Sequence, residues 1–247
     1  MANVSPTPPH FIVTAGSTYE PIDQVRGWGN IFTGQTGLDI ALALLDLGDV
    51  TLLTSNSIHV TQYNGYSGKR GMLGAESFRT HADLLELLTE RMTSGDHVEG
   101  VAMSAAVSDY APAGSFRIHS REAGANGTET WVVENVDAPK VKSLYGEIAV
   151  RGLATMKLVD QFRSAWGYEG LLIKFKLEVG IAEEQLIAVA ENSRKASSAD
   201  MIIANTLEMV KGENPEAYFI DDQGVVRIAR DKLAGEVASR VAKFLQK

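Results

Sequence analysis

The chain of 247 residues contains no cysteine. Without a thiol it forms neither a disulfide nor a thiolate metal site, and it has no nucleophile for covalent thiol catalysis. This composition fits a reducing compartment, and we predict a cytoplasmic protein. Long apolar runs are lacking as well, because no window approaches the roughly 18 consecutive apolar residues of a spanning helix. The sequence therefore predicts no membrane segment.

Runs of positive charge are also missing. The formal net charge is -8 and the sequence pI is about 5.2, so no basic patch offers the phosphate neutralisation that nucleic-acid binding requires. Proline is scarce, and three of the seven prolines fall within residues 1–10. We predict a flexible N-terminal tail over residues 1–10, neither a signal peptide nor a membrane anchor. A single domain over residues 11–247 is expected to follow.

Strand-like and helix-like segments alternate along the rest of the chain. Apolar runs such as Phe11 to Thr14 and Val50 to Thr54 predict buried strands, whereas Ala82 to Met92 has the periodicity of an amphipathic helix. Further on, Leu171 to Phe175 predicts a strand and Ala182 to Ser197 a helix. This order predicts an α/β fold, a Rossmann-like and mostly parallel sheet with helices on both faces.

Residues 111–151 interrupt this alternation. They hold four glycines, and the turn signal Asn126-Gly127 lies between the strand-like runs Phe116 to Ser120 and Thr128 to Glu134. We predict a projecting hairpin arm followed by a mobile flap. An irregular insertion of this length is more often functional than decorative, although a plain surface insert is the alternative.

The loop after the first strand is rich in glycine and hydroxyl groups. Its backbone N–H groups and the following helix N-terminus suit phosphate oxygens. A nicotinamide dehydrogenase is the obvious rival, but no G-x-G-x-x-G follows this strand, and the second strand ends in Thr54-Ser55-Asn56 without an acidic residue. The loop therefore predicts phosphate binding, with a purely structural loop as the alternative. The candidate residues are Gly16, Ser17, Thr18, Thr33 and Gly34.

Two further loops carry candidate chemistry, because ligands of such sheets bind beyond the carboxyl ends of the strands. The small residues Ala105 and Ala106 end a strand and let a ligand approach the backbone, and Asp109 follows them as a binder of ribose hydroxyls or as a turn residue. Phe175 lies between two lysines at another strand end. It is a candidate cover for a nucleobase, with a buried core role as the alternative.

Taken together, these loops resemble the phosphopantothenate–cysteine ligase (phosphopantothenoylcysteine synthetase) family over nearly the whole chain, its monofunctional members most closely. Each motif alone is weak, but their combination and order are specific. The segments that carry the resemblance are Thr14-Ala15-Gly16-Ser17-Thr18, Glu20-Pro21-Ile22-Asp23, Asn30-Ile31-Phe32-Thr33-Gly34-Gln35-Thr36-Gly37, Ala105-Ala106-Val107-Ser108-Asp109-Tyr110 and Phe175-Lys176-Leu177-Glu178.

The resemblance implies a ligase that activates the carboxylate of phosphopantothenate as an acyl-nucleotide and then joins it to cysteine. It implies CTP or ATP as the nucleotide, Mg²⁺ with the triphosphate, no flavin, no metal-binding side chains, and a homodimer. Asn30 would stabilise the acyl-nucleotide, and Thr33, Gly34 and Ala106 would complete the substrate site. The implied nucleotide-binding residues are Gly16, Ser17, Thr18, Ala105, Ala106, Asp109, Phe175 and Lys195.

The family also has a flap lysine whose ammonium offsets charge on the reacting phosphates. Two segments compete for this role: Arg117-Ile118-His119-Ser120, which is nearer to Asp109, and Lys140-Val141-Lys142-Ser143, which keeps the lysine. The spacing from the second segment to Lys157 favours Lys140, and Arg117 is the alternative. A solvated lysine without a function is the plainer interpretation.

The sequence departs from the family at the nucleotide clamp. Two lysines four apart are expected on the helix after the Phe175 strand, but Asn192 and Ala196 stand there, with Lys195 out of register, and Phe32 replaces a hydroxyl of the acyl-binding motif. A catalytically silent nucleotide-binding relative is therefore a second hypothesis. An FMN or nicotinamide oxidoreductase on the same kind of sheet is a third.

Overall fold

The computed structural model describes residues 8–246. The strands within this range are β1 (His10–Ala15), β2 (Tyr19–Pro21), β3 (Gly27–Gly29), β4 (Asp49–Thr54), β5 (Tyr66–Ser67), β6 (Met72–Ser77), β7 (Gly100–Met103), β8 (Tyr110–Ala123), β9 (Glu129–Asn135), β10 (Ile148–Ala154), β11 (Leu171–Glu178), β12 (Met201–Thr206), β13 (Glu216–Asp221) and β14 (Gly224–Ala229). The helices are α1 (Gln35–Leu44), α2 (Ser57–Tyr63), α3 (His81–Thr93), α4 (Leu158–Ser164), α5 (Glu183–Ala196), α6 (Leu207–Lys211) and α7 (Arg230–Phe244).

The main sheet has nine strands in the order β14-β13-β12-β11-β7-β1-β4-β6-β5. The six from β12 to β6 are parallel, while β5, β13 and β14 pair antiparallel at the two ends. The chain winds outward from β1 through β4 and β6, then returns to the other side through β7, β11 and β12. This is the doubly wound order of Rossmann-like folds, so the predicted fold class is confirmed.

Helices cover both faces of this sheet, which explains why central strands such as β1 are largely apolar. Successive residues of β1 enter different clusters: Phe11 and Val13 pack on the side of α1 and α7, and Ile12 packs with Phe162 on the side of α3 and α4. The same alternation on β11 directs Ile173 and Phe175 toward the α1 and α7 side. Lys174, between them, faces the opposite side, toward α5.

The sequence pattern does not predict strand β6. It pairs in parallel with β4, and its burial alternates, with Leu73 and Ala75 buried and Met72 and Gly74 exposed. A strand near a sheet edge buries only every second side chain. The short apolar run that marks the central strands is therefore missing here.

The arm is a separate three-stranded antiparallel sheet in the order β10-β8-β9. The predicted run Phe116 to Ser120 lies within β8, and the run Thr128 to Glu134 overlaps β9 except for its first residue. The turn between them holds Asn126 in the left-handed region with φ of 58°. The third strand, β10, pairs with β8 and continues beyond the end of the predicted insertion at Arg151. Its return to Ala154 opposite Tyr110 carries the chain back to the carboxyl ends of the main sheet.

The predicted tail falls largely on residues 1–7, which lie outside the described part of the chain. Strand β1 already begins at His10, one residue before the predicted domain boundary. None of the helices within residues 8–246 is both long enough and apolar enough to cross a membrane.

Candidate active site at the switch point of the sheet

The chain reverses its winding direction between the neighbouring strands β1 and β7. The loops that leave these strands stay paired for two more residues, with Ala106 N–H donating to the carbonyl of Gly16 at 2.8 Å and Thr18 N–H donating to the carbonyl of Ala106 at 3.2 Å. Loops diverge beyond such a point and leave a crevice for ligands. The structure thus brings together the first two loops that the sequence singled out.

Two glycines let the first loop fold back over the strand ends. Gly16 and Gly34 both have a φ of 87°, a conformation that glycine adopts without strain. A Cβ on Gly34 would stand 2.5 Å from the backbone nitrogen of Gly16, and a Cβ on Gly16 would stand 2.1 Å from the Ser55 hydroxyl. Side chains at either position would therefore push the loop away from the sheet.

Several polar groups of this loop form hydrogen bonds within the protein. Ser17 N–H donates to Ser55 Oγ at 2.8 Å. Thr18 is fully buried, and its hydroxyl accepts from Ser108 N–H at 2.9 Å. The interpretation of Thr18 as a nucleotide ligand is therefore not supported, because its side chain fastens the first loop to the second. The sequence pattern of hydroxyls does not distinguish these two uses.

A first cavity of about 190 Å³ lies on the side of α1 and α7. Helix α1 begins at its edge with no side-chain cap and no acidic residue in the first turn. The positive end of the helix dipole is consequently available to an anion. Of the predicted site residues, those that line this cavity are Gly16, Thr33, Gly34, Ala105, Ala106 and Phe175.

Arg230 adds a cation to the first cavity and was not predicted. It is the first residue of α7, it lines the cavity, and its guanidinium donates to the Thr36 hydroxyl in the first turn of α1 at 2.6 Å. The two residues are 194 positions apart in the chain. No local motif marks Arg230, so only the packing of α7 beside α1 reveals this contact.

A second cavity of about 410 Å³ lies across a ridge from the first. The ridge, formed by Ala105, Ala106 and residues 175–177, contributes to the lining of both cavities. Asp109 stands at the mouth of the second cavity and pairs with Lys157, and both side chains are more than half exposed. Phe175 also lines this cavity. Lys157 reaches it because β10 returns the chain to the carboxyl ends of the main sheet, and the sequence analysis used this lysine only to compare spacings.

Asn30 joins the two loops next to this ridge. Its Nδ2 donates to the carbonyl of Ala106 at 3.1 Å, and its own backbone carbonyl accepts from Ser17 Oγ at 3.1 Å. The residue is exposed. The structure therefore brings Asn30 to the loop of Ala105 and Ala106.

The other predicted cations lie elsewhere. Lys140 is exposed and lines neither cavity within the described residues. Its neighbour Val141 is buried, and the Val141 N–H donates to the Asp23 carboxylate at 3.1 Å. Hydrogen bonds from Arg26 and from backbone N–H groups hold the pKa of Asp23 well below its usual range. The flap is thus fastened to the loop after β2, with Lys140 outside the cavities.

Lys195 is also displaced from its predicted role. It pairs with Glu191 one turn earlier on α5 at 3.1 Å and does not line either cavity. Arg194 is buried and bonded to Glu191 and Asp222, which makes it a structural residue. Asn192 is exposed, whereas Ala196 lines the second cavity, as does Lys174 opposite it.

The doubly wound sheet, with cavities on both sides of its switch point, defines a Rossmann-like α/β protein whose ligand site lies where such folds bind nucleotides. Residues 8–125 match the family described as the DNA/pantothenate metabolism flavoprotein C-terminal domain. The match covers somewhat less than half of the chain. Together with the relatives described below, it confirms the resemblance to phosphopantothenate–cysteine ligases.

A curated relative is the coenzyme A biosynthesis bifunctional protein CoaBC of Thermococcus kodakarensis, 27% identical over 95% of this chain and 51% of its own length. The chain spans about half the length of the curated relatives that match it end to end. Among solved structures, the DNA/pantothenate metabolism flavoprotein of Streptococcus pneumoniae has a TM-score of 0.72 at 23% identity, over 96% of this chain and all of the other. A Cab2 mutant in complex with phosphopantothenate-cysteine has a TM-score of 0.62 at 15% identity, over 96% and 88% of the two chains. At these identities the structural matches show a shared fold.

Proposed function

We propose that the protein is a phosphopantothenate–cysteine ligase. The observation that carries this proposal is the pair of cavities that meet at the ridge of Ala105 and Ala106, with Asn30 bonded to that ridge. Two ligands bound in these cavities would meet at their reacting ends, which is what an acyl-nucleotide intermediate requires. The relatives named for coenzyme A biosynthesis, and the Cab2 structure with phosphopantothenate-cysteine, support this choice of substrates.

In the proposed reaction the phosphopantothenate carboxylate attacks the α-phosphate of a nucleoside triphosphate. A carboxylate oxygen to phosphorus bond forms, the bond from that phosphorus to the bridging oxygen breaks, and pyrophosphate leaves. The cysteine amine then attacks the acyl carbon, forming the amide and releasing the nucleoside monophosphate and a proton. Asn30 would hold the acyl group, while the uncapped start of α1 and Arg230 would hold anionic oxygens in the first cavity.

Mg²⁺ would enter with the triphosphate as part of the substrate. Residues 8–246 contain no group of three or more His, Asp and Glu side chains placed to hold a metal ion by themselves. A magnesium ion that takes most of its ligands from phosphates and water does not need such a group. We propose CTP or ATP as the nucleotide and a cytoplasmic location, as predicted from the sequence.

A coupled assay of pyrophosphate release tests the proposal. The purified protein is given phosphopantothenate and cysteine with CTP or with ATP, and pyrophosphate is expected with at least one of the two. Omission of phosphopantothenate should abolish the signal. No release with either nucleotide would rule out the ligase.

A catalytically silent nucleotide-binding relative is the second candidate. It is favoured by one observation, the absence of the clamp lysines at Asn192 and Ala196. Nucleotide binding without turnover in the same assay would support it over the ligase.

The flap lysine gives a prediction of its own. The Lys140→Gln variant is expected to slow acyl-nucleotide formation by about 10²-fold if its ammonium reaches the phosphates in the reacting complex, as single electrostatic contacts to a transition state commonly do. Single-turnover formation of the acyl-nucleotide measures this step directly. Because Lys140 is exposed, the thermal unfolding temperature of the Lys140→Gln variant should equal that of wild type.

Lys142→Gln, two residues further along the same exposed flap, is the matched control and should retain wild-type rates. Arg117, which lies over the Tyr145 ring on the arm, is the alternative flap cation. Equal rates for Lys140→Gln and wild type, with a slow Arg117→Gln variant, would transfer the role to Arg117.

We also propose a homodimer formed through the arm. Strand β9 is the edge strand of the arm sheet, and its apolar side chains Trp131, Val132 and Val133 are exposed. An uncovered apolar edge strand is a ready site for pairing with a second copy. Sedimentation of the purified chain as a monomer at micromolar concentration would refute this arrangement.

A further inference from the structure

The second cavity ends in a hydrogen-bonded polar floor, which we define as Lys174, Ser197 and Asp160. Lys174 Nζ donates to Ser197 Oγ at 2.5 Å and to the carbonyl of Ser193 at 3.0 Å. Ser197 Oγ in turn donates to Asp160 Oδ1 at 2.7 Å. A cation and a carboxylate are thus held side by side by a hydroxyl, and all three residues line the cavity.

The cavity becomes more enclosed from its mouth to this floor. At the mouth, the side chains of Asp109 and Lys157 are 63% and 61% exposed, whereas Ser197 is 4% exposed. Between them lie apolar walls that include Met103, Val107 and Leu158. A nucleoside matches this arrangement of an exposed polar mouth, apolar walls and a polar floor. Its flat base would lie between the walls with its polar edge on the floor, and its ribose would lie near Asp109.

The floor presents a donor next to an acceptor. An ammonium has three donors, and the two bonds of Lys174 within the protein leave one for a ligand. Cytosine and adenine carry an acceptor nitrogen beside an exocyclic amine, so the nitrogen would face Lys174 and the amine would face Asp160. Uracil and guanine would place an N–H against the ammonium and a carbonyl against the carboxylate, which is repulsive in both contacts.

We propose that Lys174 is a specificity-determining residue that binds the nucleobase edge in the second cavity and favours amino-bearing bases. This inference rests on the proposed function, since it names the part of the nucleotide that enters this cavity. It also accounts for the altered helix α5: Ala196 leaves room beside the cavity, and the cation comes from β11 instead. Burial lowers the pKa of Lys174 from its ordinary value, and Asp160 opposes this shift.

Binding of nucleoside monophosphates to the full chain tests the inference without requiring turnover. Calorimetric titrations with CMP, AMP, UMP and GMP compare wild type with Lys174→Met, and titration with inorganic tripolyphosphate probes phosphate contacts alone. We expect wild type to bind CMP or AMP more tightly than UMP and GMP by about tenfold or more, because a mismatched edge leaves buried polar groups unpaired. In Lys174→Met this ratio should fall to about threefold or less, while tripolyphosphate affinity stays within about twofold of wild type.

Two further variants control for misfolding of Lys174→Met and for the general effect of removing one positive charge. Ser197→Ala removes the hydroxyl that links Lys174 to Asp160, and it should weaken the discrimination between bases in the same direction. This variant keeps the inference testable if Lys174→Met does not fold. Lys69→Met removes an exposed lysine that pairs with Asp46 away from both cavities and should bind all four nucleotides as wild type does.

The binding and activity measurements distinguish the base-recognition role of Lys174 from the proposed ligase function. Unchanged discrimination in both Lys174→Met and Ser197→Ala would overturn the inference. Equal weakening of all four nucleotides together with tripolyphosphate would overturn it too, and would make Lys174 a phosphate contact. Wild type that releases pyrophosphate but shows no base preference would refute the base-reading role and leave the ligase standing. Wild type that neither binds nucleotides nor turns over would refute both.

Discussion

The Asn30→Ala variant is expected to lose about 10²- to 10³-fold in kcat/KM, the usual consequence of removing one side-chain amide that stabilises charge in a transition state. Asn30 is suited to this role because its Nδ2 is already fixed by the carbonyl of Ala106 at the ridge between the cavities. A preoriented amide acts without reorganising during the reaction. Steady-state kinetics for phosphopantothenate, with pyrophosphate as the readout, measure the loss.

The fold should be almost unaffected by this change. The residue is exposed, and the hydrogen bond to Ala106 is worth about 0.5–1.5 kcal/mol of stability. Asn30→Asp should impair handling of the acyl-nucleotide as well, because a carboxylate cannot donate to Ala106 and adds negative charge near the phosphates. Asn214→Ala, at an exposed loop position, is the matched control. An Asn30→Ala enzyme within about twofold of wild type would remove Asn30 from the reaction.

The Arg230→Met variant is expected to raise the KM for phosphopantothenate by roughly 10- to 100-fold, since a hydrogen bond to a charged group is worth about 1.5–3 kcal/mol. Its guanidinium and the uncapped start of α1 converge on the first cavity, joined by the bond to Thr36. With the nucleoside assigned to the second cavity, the anion that remains for this position is the phosphate of the acid substrate. The KM for the nucleotide should therefore change little.

Arg230→Lys distinguishes charge from geometry, because lysine keeps the charge but loses the planar fork that contacts Thr36 and an anion together. It should recover only part of the loss. Arg70→Met, an exposed arginine that lines neither cavity, is the control. If Arg230→Met raises the KM of the nucleotide instead, the first cavity binds the polyphosphate, and the assignment of the two cavities is reversed.

Local sequence patterns are sufficient for part of this fold. The parallel sheet was predictable because strands covered on both faces carry short apolar runs, as in β1 and the first half of β11. Strand β6, with every second residue exposed, lacked that signal. The arm hairpin was visible through Asn126-Gly127, since that turn requires a residue that tolerates positive φ. Its third strand has no such marker.

The site was predictable in part for the same reason. Gly16 and Gly34 have a positive φ, and a Cβ on either would stand 2.1 to 2.5 Å from a neighbouring atom, so the local backbone restricts both positions to glycine. Polar residues carry no comparable mark. Thr18 accepts a hydrogen bond from the backbone N–H of Ser108, whereas Arg230 lines the first cavity. The residues next to them in sequence do not distinguish the structural role from the ligand-binding one.

By itself, the sequence determined the fold class, the loops at the carboxyl ends of β1, β7 and β11, and the resemblance to a family of ligases, because hydrophobic period and small-residue motifs act over short stretches of chain. The tertiary structure alone decided which cations reach the site. Lys157 meets Asp109 from 48 residues away, Arg230 meets Thr36 from 194, and Lys140 and Lys195 remain outside both cavities. Long charged side chains extend to wherever the fold places their backbone, and that placement depends on helix packing and strand pairing rather than on their neighbours in the chain.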